Sequence, residues 1–370
     1  MKYRLERVQS RRERRRFVDL PRRVLGTRPS FVPPVTSEEV KRIDPSRNPF
    51  FEHAESAFWI LADERGPVGR ISATVDRLAL DWNEDETGVF GHILAPDEAG
   101  AAKLLDAARH WLRARGLRRM LGPIELSTNY TCGLQVSGFD VAPMIEMNQH
   151  PEGLEGLILA AGPEPIKDLL AFRVNPKKAQ DSRIERITRI SERRYPARIR
   201  PLDPGRFSEE VRTLHDIYER AWERNFGFVP MSGAEFAAAA RSFKPLYDPE
   251  LTLIAEHEEK PVAFLFVLPD INPAVKACNG RLFPLGFLKI LRHKSRTQRA
   301  RLLTFGLVPE ARNRGLDARL VHEITKRTAA HGYELVELSW VLEDNKSIVT
   351  IMEQIGSRES TRYRLYEQAL

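Results

Sequence analysis

Apolar positions along the chain follow two spacings. Short alternating runs predict strands, and longer stretches at i, i+3, i+4 predict helices. Residues 2–8 alternate as a first strand. Ser10 is placed to cap a helix over 11–24, which Pro21 bends or ends. Residues 27–50 are rich in Pro, Ser and charge, and predict an ordered loop region. Residues 58–62 and 68–75 then form a hairpin around the turn 63–67. Residues 88–94 are a strand, and 100–115 a helix with Ala101, Leu104, Leu105, Ala108 and Leu112 inward. Gly116 closes that helix, and 117–126 is the next strand.

The second half repeats this order. A strand at 198–202 precedes a helix over 204–222, and a hairpin begins near Leu253. The strand 302–308 feeds an amphipathic helix with Leu316, Leu320, Ile324 and Thr328 on one face. Gly332 stops the helix, and 334–341 is the closing strand. Gly116 corresponds to Gly332 and Asn129 to Asn345 at one common offset, while Pro96 and Pro309 lie three residues closer. The extra residues of the second copy therefore fall in the loop around Arg312 and Gly315. Between the copies, 175–196 is highly charged and predicts a linker helix. The expected organisation is an α/β fold of mixed (α+β) sheets in two tandem units, 1–174 and 197–370, each with its own sheet.

A chain of 370 residues is long enough for two cores, and its 42% hydrophobic and 29% charged residues suit a globular protein. No apolar run reaches the roughly 18 residues of a membrane span. The first residues lack an apolar signal segment, which points to the cytoplasm. Cys132 and Cys278 form no metal or disulfide pattern and read as reduced thiols. Residues 1–28 carry a balance of +8 within a whole-chain charge of +7, so the remainder is near neutral. No aromatics alternate with those arginines, so they read as a solvated helix face rather than a nucleic-acid surface. An insertion over 269–301 holds a second basic run of Lys289, Arg292, Lys294, Arg296, Arg299 and Arg301, also read as a solvated face.

The loop Arg312-Asn313-Arg314-Gly315 opens a helix, where free N–H groups and the helix dipole favour an anion. The spacing Arg312-x-x-Gly315-x-Asp317-Ala318, followed by Asn345 before a helix ending at Gly356, resembles the coenzyme-binding segments of the GCN5-related N-acetyltransferase (GNAT) superfamily. The motifs Asn48–Ala54, Asn225–Met231 and Ser339–Asn345 resemble bacterial GNAT-like proteins of this length. The resemblance implies a tandem GNAT fold and acetyl-CoA or another acyl-CoA as cosubstrate. It also implies a small-molecule or peptide amine as acceptor. The first copy has Ala95-Pro96-Asp97-Glu98 in place of the arginine loop, a poor phosphate site, so the live site is expected in the second.

On that resemblance, coenzyme contacts fall to Arg312, Asn313, Arg314, Gly315, Leu316, Asp317, Ala318 and Asn345. The strand N–H groups near Leu307 and Val308 would polarise the thioester carbonyl. The loop around Phe226 and Phe228 is expected at the acceptor pocket. No acid lies on the strand 302–308, which leaves Glu223, Tyr333 and Glu337 as catalytic candidates. Two residues depart from the family pattern. Asp317 would repel a pyrophosphate unless turned away, and Met352 stands where a proton-donating Tyr is common. Trp222 and Trp340 read as core, and His322 as surface. Two other function classes stay open: a GNAT-fold binding module without turnover, and an aminoacyl-tRNA-dependent transferase.

Overall fold

The computed structural model describes residues 3–83, 85–179 and 182–370. The start of the expected first strand at residue 2, and residues 180–181 of the expected linker, lie outside them. Among the described residues, thirteen strands form one sheet. In the first half these are β1 (Arg4–Arg7), β2 (Ala54–Asp63), β3 (Gly66–Asp76), β4 (Thr87–Leu94), β5 (Arg119–Gly122), β6 (Leu134–Gln135) and β7 (Glu164–Val174). The second half contributes β8 (Arg198–Pro201), β9 (Thr252–His257), β10 (Lys260–Pro269), β11 (Arg299–Leu307), β12 (Leu335–Leu342) and β13 (Arg358–Ala369).

The local predictions rest on visible causes. Ser10 and Glu13 form a reciprocal capping box on the helix Arg11–Leu25, which carries Pro21 within it. The helix Glu98–Arg113 buries Ala101, Leu104, Leu105, Ala108 and Leu112, the stripe its spacing called for. The charged linker contains the helix Ser182–Arg194, which packs on the helix Leu316–Ala330. The expected loop 27–50 holds one short helix, Thr36–Arg42.

The sheets are not separate. Their order is β1-β2-β3-β4-β5-β13-β7-β12-β11-β10-β9-β8, with β6 also beside β13. Each half's last strand lies against the other half: β13 pairs with β5 of the first, and β7 pairs with β12 of the second. The two exchanged strands pair with each other along the middle. The repeat is real at the level of elements, since β4·β5 and β11·β12 are the two parallel pairs.

A buried carboxylate joins the exchanged strands. Asp168 on β7 accepts from Arg364 Nε at 2.6 Å, Arg364 Nη2 at 2.9 Å and Arg362 Nη1 at 3.0 Å, all from β13. Burial acts to raise its pKa, but the bonds and charges of Arg364 and Arg362 outweigh this and hold the carboxyl below its ordinary range. Tyr366 on β13 is fully buried in the first half's core.

A shared sheet should unfold as one unit. Urea titrations followed by tryptophan fluorescence and by far-UV circular dichroism are expected to coincide, whereas two separated transitions would contradict the exchange. Asp168→Asn should cost ~1–3 kcal/mol. Because the folded pKa is depressed, the Asp168 contribution is present above the unfolded value of about 3.9 and lost as pH falls through the lower folded value. Acid titration of the stability difference between wild type and variant checks that sign.

Candidate functional site

Both parallel pairs open partway along. β4 and β5 stay paired only over 87–89 and 119–121, and β11 and β12 only over 299–302 and 335–338. His92, at φ +52, lies at the register shift of β4 against β3, and Leu303 is the residue skipped where β11 shifts against β10. Past these points the strands splay, and a cavity of about 770 Å³ lies between the two openings. β4 contributes His92–Leu94 to its lining, β11 Leu303–Phe305, and β12 Leu338–Leu342. Trp222, Phe243, Phe264, Phe266 and Trp340 give it an apolar, aromatic wall.

A titratable cluster faces the same cavity from the first half. Arg42 bonds both oxygens of Glu146, at 2.9 and 3.0 Å, and lies 3.1 Å from Glu39. Burial raises the Glu39 carboxyl to about 7, against the opposing pull of Arg42, and 24% of its side chain is exposed. Burial pushes His92 down to about 4, so its imidazole is neutral near pH 7. It shares a 2.8 Å hydrogen bond with Ser72 Oγ, and its Nε2 lies 3.5 Å from Glu125. Burial acts to raise Glu125, but His92, Arg70 and a 2.5 Å bond from Thr131 outweigh it and keep the carboxyl below its usual range.

Arg301 on β11 is fully buried, a correction to its reading as part of a solvated basic face. It donates to Ser339 Oγ and O at 2.9 Å and to the carbonyls of Ile145 and Glu146 at 2.8 Å, and stacks 4.8 Å from the Trp340 ring. Ser339 in turn donates to Glu337, whose second oxygen accepts from Arg173 at 2.7 Å. This chain ties β11, β12 and β7 together at the cavity wall.

Of the residues expected from sequence, Asn345, Phe226 and Phe228 line the cavity, as do Trp222 and Trp340. Glu223 is exposed at the end of the helix Phe207–Trp222. Tyr333 is buried in the second half's core, where burial pushes its hydroxyl up to about 12. Glu337 is committed to Arg173 and Ser339. The Val308 N–H donates to Val262 O at 2.9 Å and so faces β10, while the opposite edge of β11, from Leu303 to Leu307, has parted from β12. His322 is half-buried, and Met352 belongs to the core.

The arginine loop lies apart from the cavity lining. Asn313 and Gly315 have φ +58 and +73, a left-handed turn that presents the helix N-terminus. Arg312 donates to the carbonyls of Leu307 and Ala221, leaving Arg314 as the exposed cation of the loop. Leu316 and Ala318 are buried on the helix side. Asp317 is turned to Ser347 Oγ at 2.9 Å and to the Ala318 N–H at 2.9 Å. A Cβ on Gly315 would lie 3.1 Å from Ile187 and 3.3 Å from Ser191, whose buried hydroxyl has no partner among the described residues. A donor beside a left-handed turn and an exposed arginine suits a phosphate group. In the first half, Asp97 fills the equivalent helix start, accepting from Gly100 N and the Tyr3 hydroxyl.

No family model matches the chain. It is 33% identical to the bacterial ceramide synthase of Caulobacter vibrioides over 97% of this chain and 95% of that one. It is 31% identical to protein YghO of Escherichia coli, over 96% and 92%. A tandem GNAT protein from the clavulanic acid biosynthesis pathway superposes with a TM-score of 0.59 at 12% identity, covering 100% of this chain and 98% of its own. The chain belongs to the family of the Caulobacter and Escherichia relatives, and its fold is that of the tandem GNAT proteins. A GCN5-related N-acetyltransferase of Sphaerobacter thermophilus gives 0.55 at 14% identity, over 99% and 95%. The bacterial ceramide synthase and YghO are full-length relatives of this GNAT-fold protein.

The GNAT motifs noted in the sequence sit at the joint between halves. His53 bridges Asp76 and Glu235 at 2.8 Å each. The carbonyls of Gly227 and Val229 accept from Thr128 and Asn129. Glu343 accepts from the Asp168 N–H. The residues the sequence reading missed, Glu39, Arg42, His92, Glu125 and Glu146, come from segments read as loop, strand or not at all. The one available signal was polar His92 within the apolar run of β4.

Arg301→Leu removes a buried charge and leaves three carbonyls and a hydroxyl without their donor. It should destabilise the protein by ~3–5 kcal/mol, read as a shift in the urea midpoint at unchanged slope. A loss below ~1 kcal/mol would mean the network is dispensable.

Proposed function

We propose that this protein is an N-acyltransferase that moves a long acyl chain from acyl-CoA to the amine of a long-chain base, forming an amide of the ceramide type. The observation that carries this reading is the cavity between the halves, aromatic-walled and large enough for apolar chains, with a titratable cluster on one side. The name of the Caulobacter relative agrees with it. A cytoplasmic location goes with it, since acyl-CoA is a cytoplasmic thioester. The units 1–174 and 197–370, joined by the linker 175–196, are best regarded as repeats that together make one site.

Acyl-CoA supplies the thioester, whose carbonyl carbon takes the amine nitrogen as the C–S bond breaks. Arg314 and the turn at Gly315, with Ser191 beside it, would hold the pyrophosphate. The edge of β11 that has parted from β12, from Leu303 to Leu307, would face the carbonyl, with the Val308 N–H turned to β10. Glu39 is the best proton acceptor for the amine. Its carboxyl, raised to about 7, is poised near neutrality, whereas neutral His92 at about 4 is too weak a base. The leaving thiolate needs no strong acid, because a thiol pKa is about 8.5, which suits Met352 in place of a tyrosine.

The test is release of CoA with a panel of acyl-CoAs and amines. Long-chain acyl-CoA with a long-chain base should turn over, and acetyl-CoA with short polyamines should not. The reverse preference would overturn the reading. Absence of CoA binding would return the binding-module and aminoacyl-tRNA alternatives. Glu39→Gln should lower kcat by ~10²–10⁴. Because the group acts as a base, the wild-type rate should rise with pH through about 7, and the variant should lose that limb. Arg314→Glu should weaken CoA binding by ~1–3 kcal/mol in calorimetry, and Asp97→Ala in the first half should leave it unchanged.

A further inference from the structure

The insertion between β10 and β11 contains a surface that acyl transfer does not require. Phe283 is 85% exposed, Leu285 60%, Phe287 45% and Leu288 61%. Isolated exposed leucines are ordinary, but four large apolar side chains within six residues form a patch. The helix Gly286–Lys294 turns Phe287 and Leu288 outward while Gly286 and Ile290 are buried. Its inner face therefore has a partner, and its outer face has none among the described residues.

The charge around the patch is of one sign. Residues 271–309 include eight Lys and Arg and no Asp or Glu. Arg281, Lys289, Arg292 and Arg296 are exposed, and among the described residues none of them forms an ion pair. Elsewhere on the surface arginines commonly pair, as Arg115 does with Glu55 and Arg327 with Glu250. An apolar tip in an unneutralised basic collar complements a bilayer bearing anionic headgroups, where apolar side chains enter the acyl boundary and cations meet phosphates. The same collar disfavours a second copy of the chain on this face, because two such surfaces would repel.

The placement fits. Ile290, on the buried face of the helix, packs in one cluster with Val32, Ile271 and Val275, and those three line the cavity. The insertion is anchored rather than loose: Arg22 donates to Asn279 O and Pro34 O, and Lys276 to Pro29 O.

We propose that residues 281–296 dock this protein on a bilayer containing anionic lipid, with Phe283, Leu285, Phe287 and Leu288 entering the interface and Lys289 and Arg292 meeting headgroup phosphates. This goes beyond the acyl-transfer reading and stands on the patch alone. The full chain should sediment with vesicles of phosphatidylethanolamine and phosphatidylglycerol, less with phosphatidylcholine alone, and less again as salt is added. Phe283→Ser with Leu288→Ser, and separately Lys289→Glu with Arg292→Glu, should each reduce the bound fraction at least about tenfold, with the thermal midpoint unchanged. CoA release from detergent-dispersed substrates should be the same in both variants as in wild type. That assay reports on the acyl-transfer reading separately, since its failure would leave vesicle binding untouched. A wild-type protein that stays in the supernatant with anionic vesicles would overturn the proposal, as would variants that bind as well as it does. So would concentration-dependent self-association abolished by Phe283→Ser with Leu288→Ser, since the patch would then belong to a second copy.

Discussion

The pairing of β7 with β13 is the constraint on which the rest depends. Each strand closes the other half's sheet, so neither half completes its core without the other. The carboxylate of Asp168 between Arg362 and Arg364 fixes that pairing in register. An isolated buried carboxylate would be costly, and two guanidinium forks make it tolerable. Without the exchange there would be two half-open sheets. With it, the two splayed strand pairs lie on either side of a single cavity.

The cavity inherits its chemistry from that geometry. Aromatic residues come mainly from the second half, whereas the titratable residues Glu39, Arg42, His92 and Glu125 come from the first. At the wall, Arg301 holds Ser339 and reaches across to the carbonyls of Ile145 and Glu146. The first repeat, which has no arginine turn, still brings titratable groups to the cavity. Asp97 fills the first half's helix start, while the groups beside β4 line the shared cavity.

The signature segments acquire a physical meaning in this arrangement. Asn48–Ala54, Asn225–Met231 and Ser339–Asn345 lie where the halves meet, joined to the opposite half through His53, the carbonyls of Gly227 and Val229, and Glu343. Such segments hold a joint, and through it the shape of the cavity. The insertion between β10 and β11 is of a different kind. It is anchored at its base by Arg22 and Lys276, and its tip faces outward.

The sequence by itself determined the elements and their repeat. Period-2 and period-3.6 burial, the Ser10 cap and the glycines after the helices depend on near neighbours, and such local physics is legible in a linear string. The GNAT fold was legible for the same reason, since its marker is a strand, a turn and a helix in succession. The tertiary structure alone decided which strands are neighbours. β13 alternates Tyr363 and Leu365 with Arg362 and Arg364, a readable strand pattern, but its partners are strands some 190 and 240 residues earlier. The site followed the same rule. Glu39 looked like a loop residue and Arg301 like a solvated one, because burial and a shifted pKa come from groups that only the folded chain brings together.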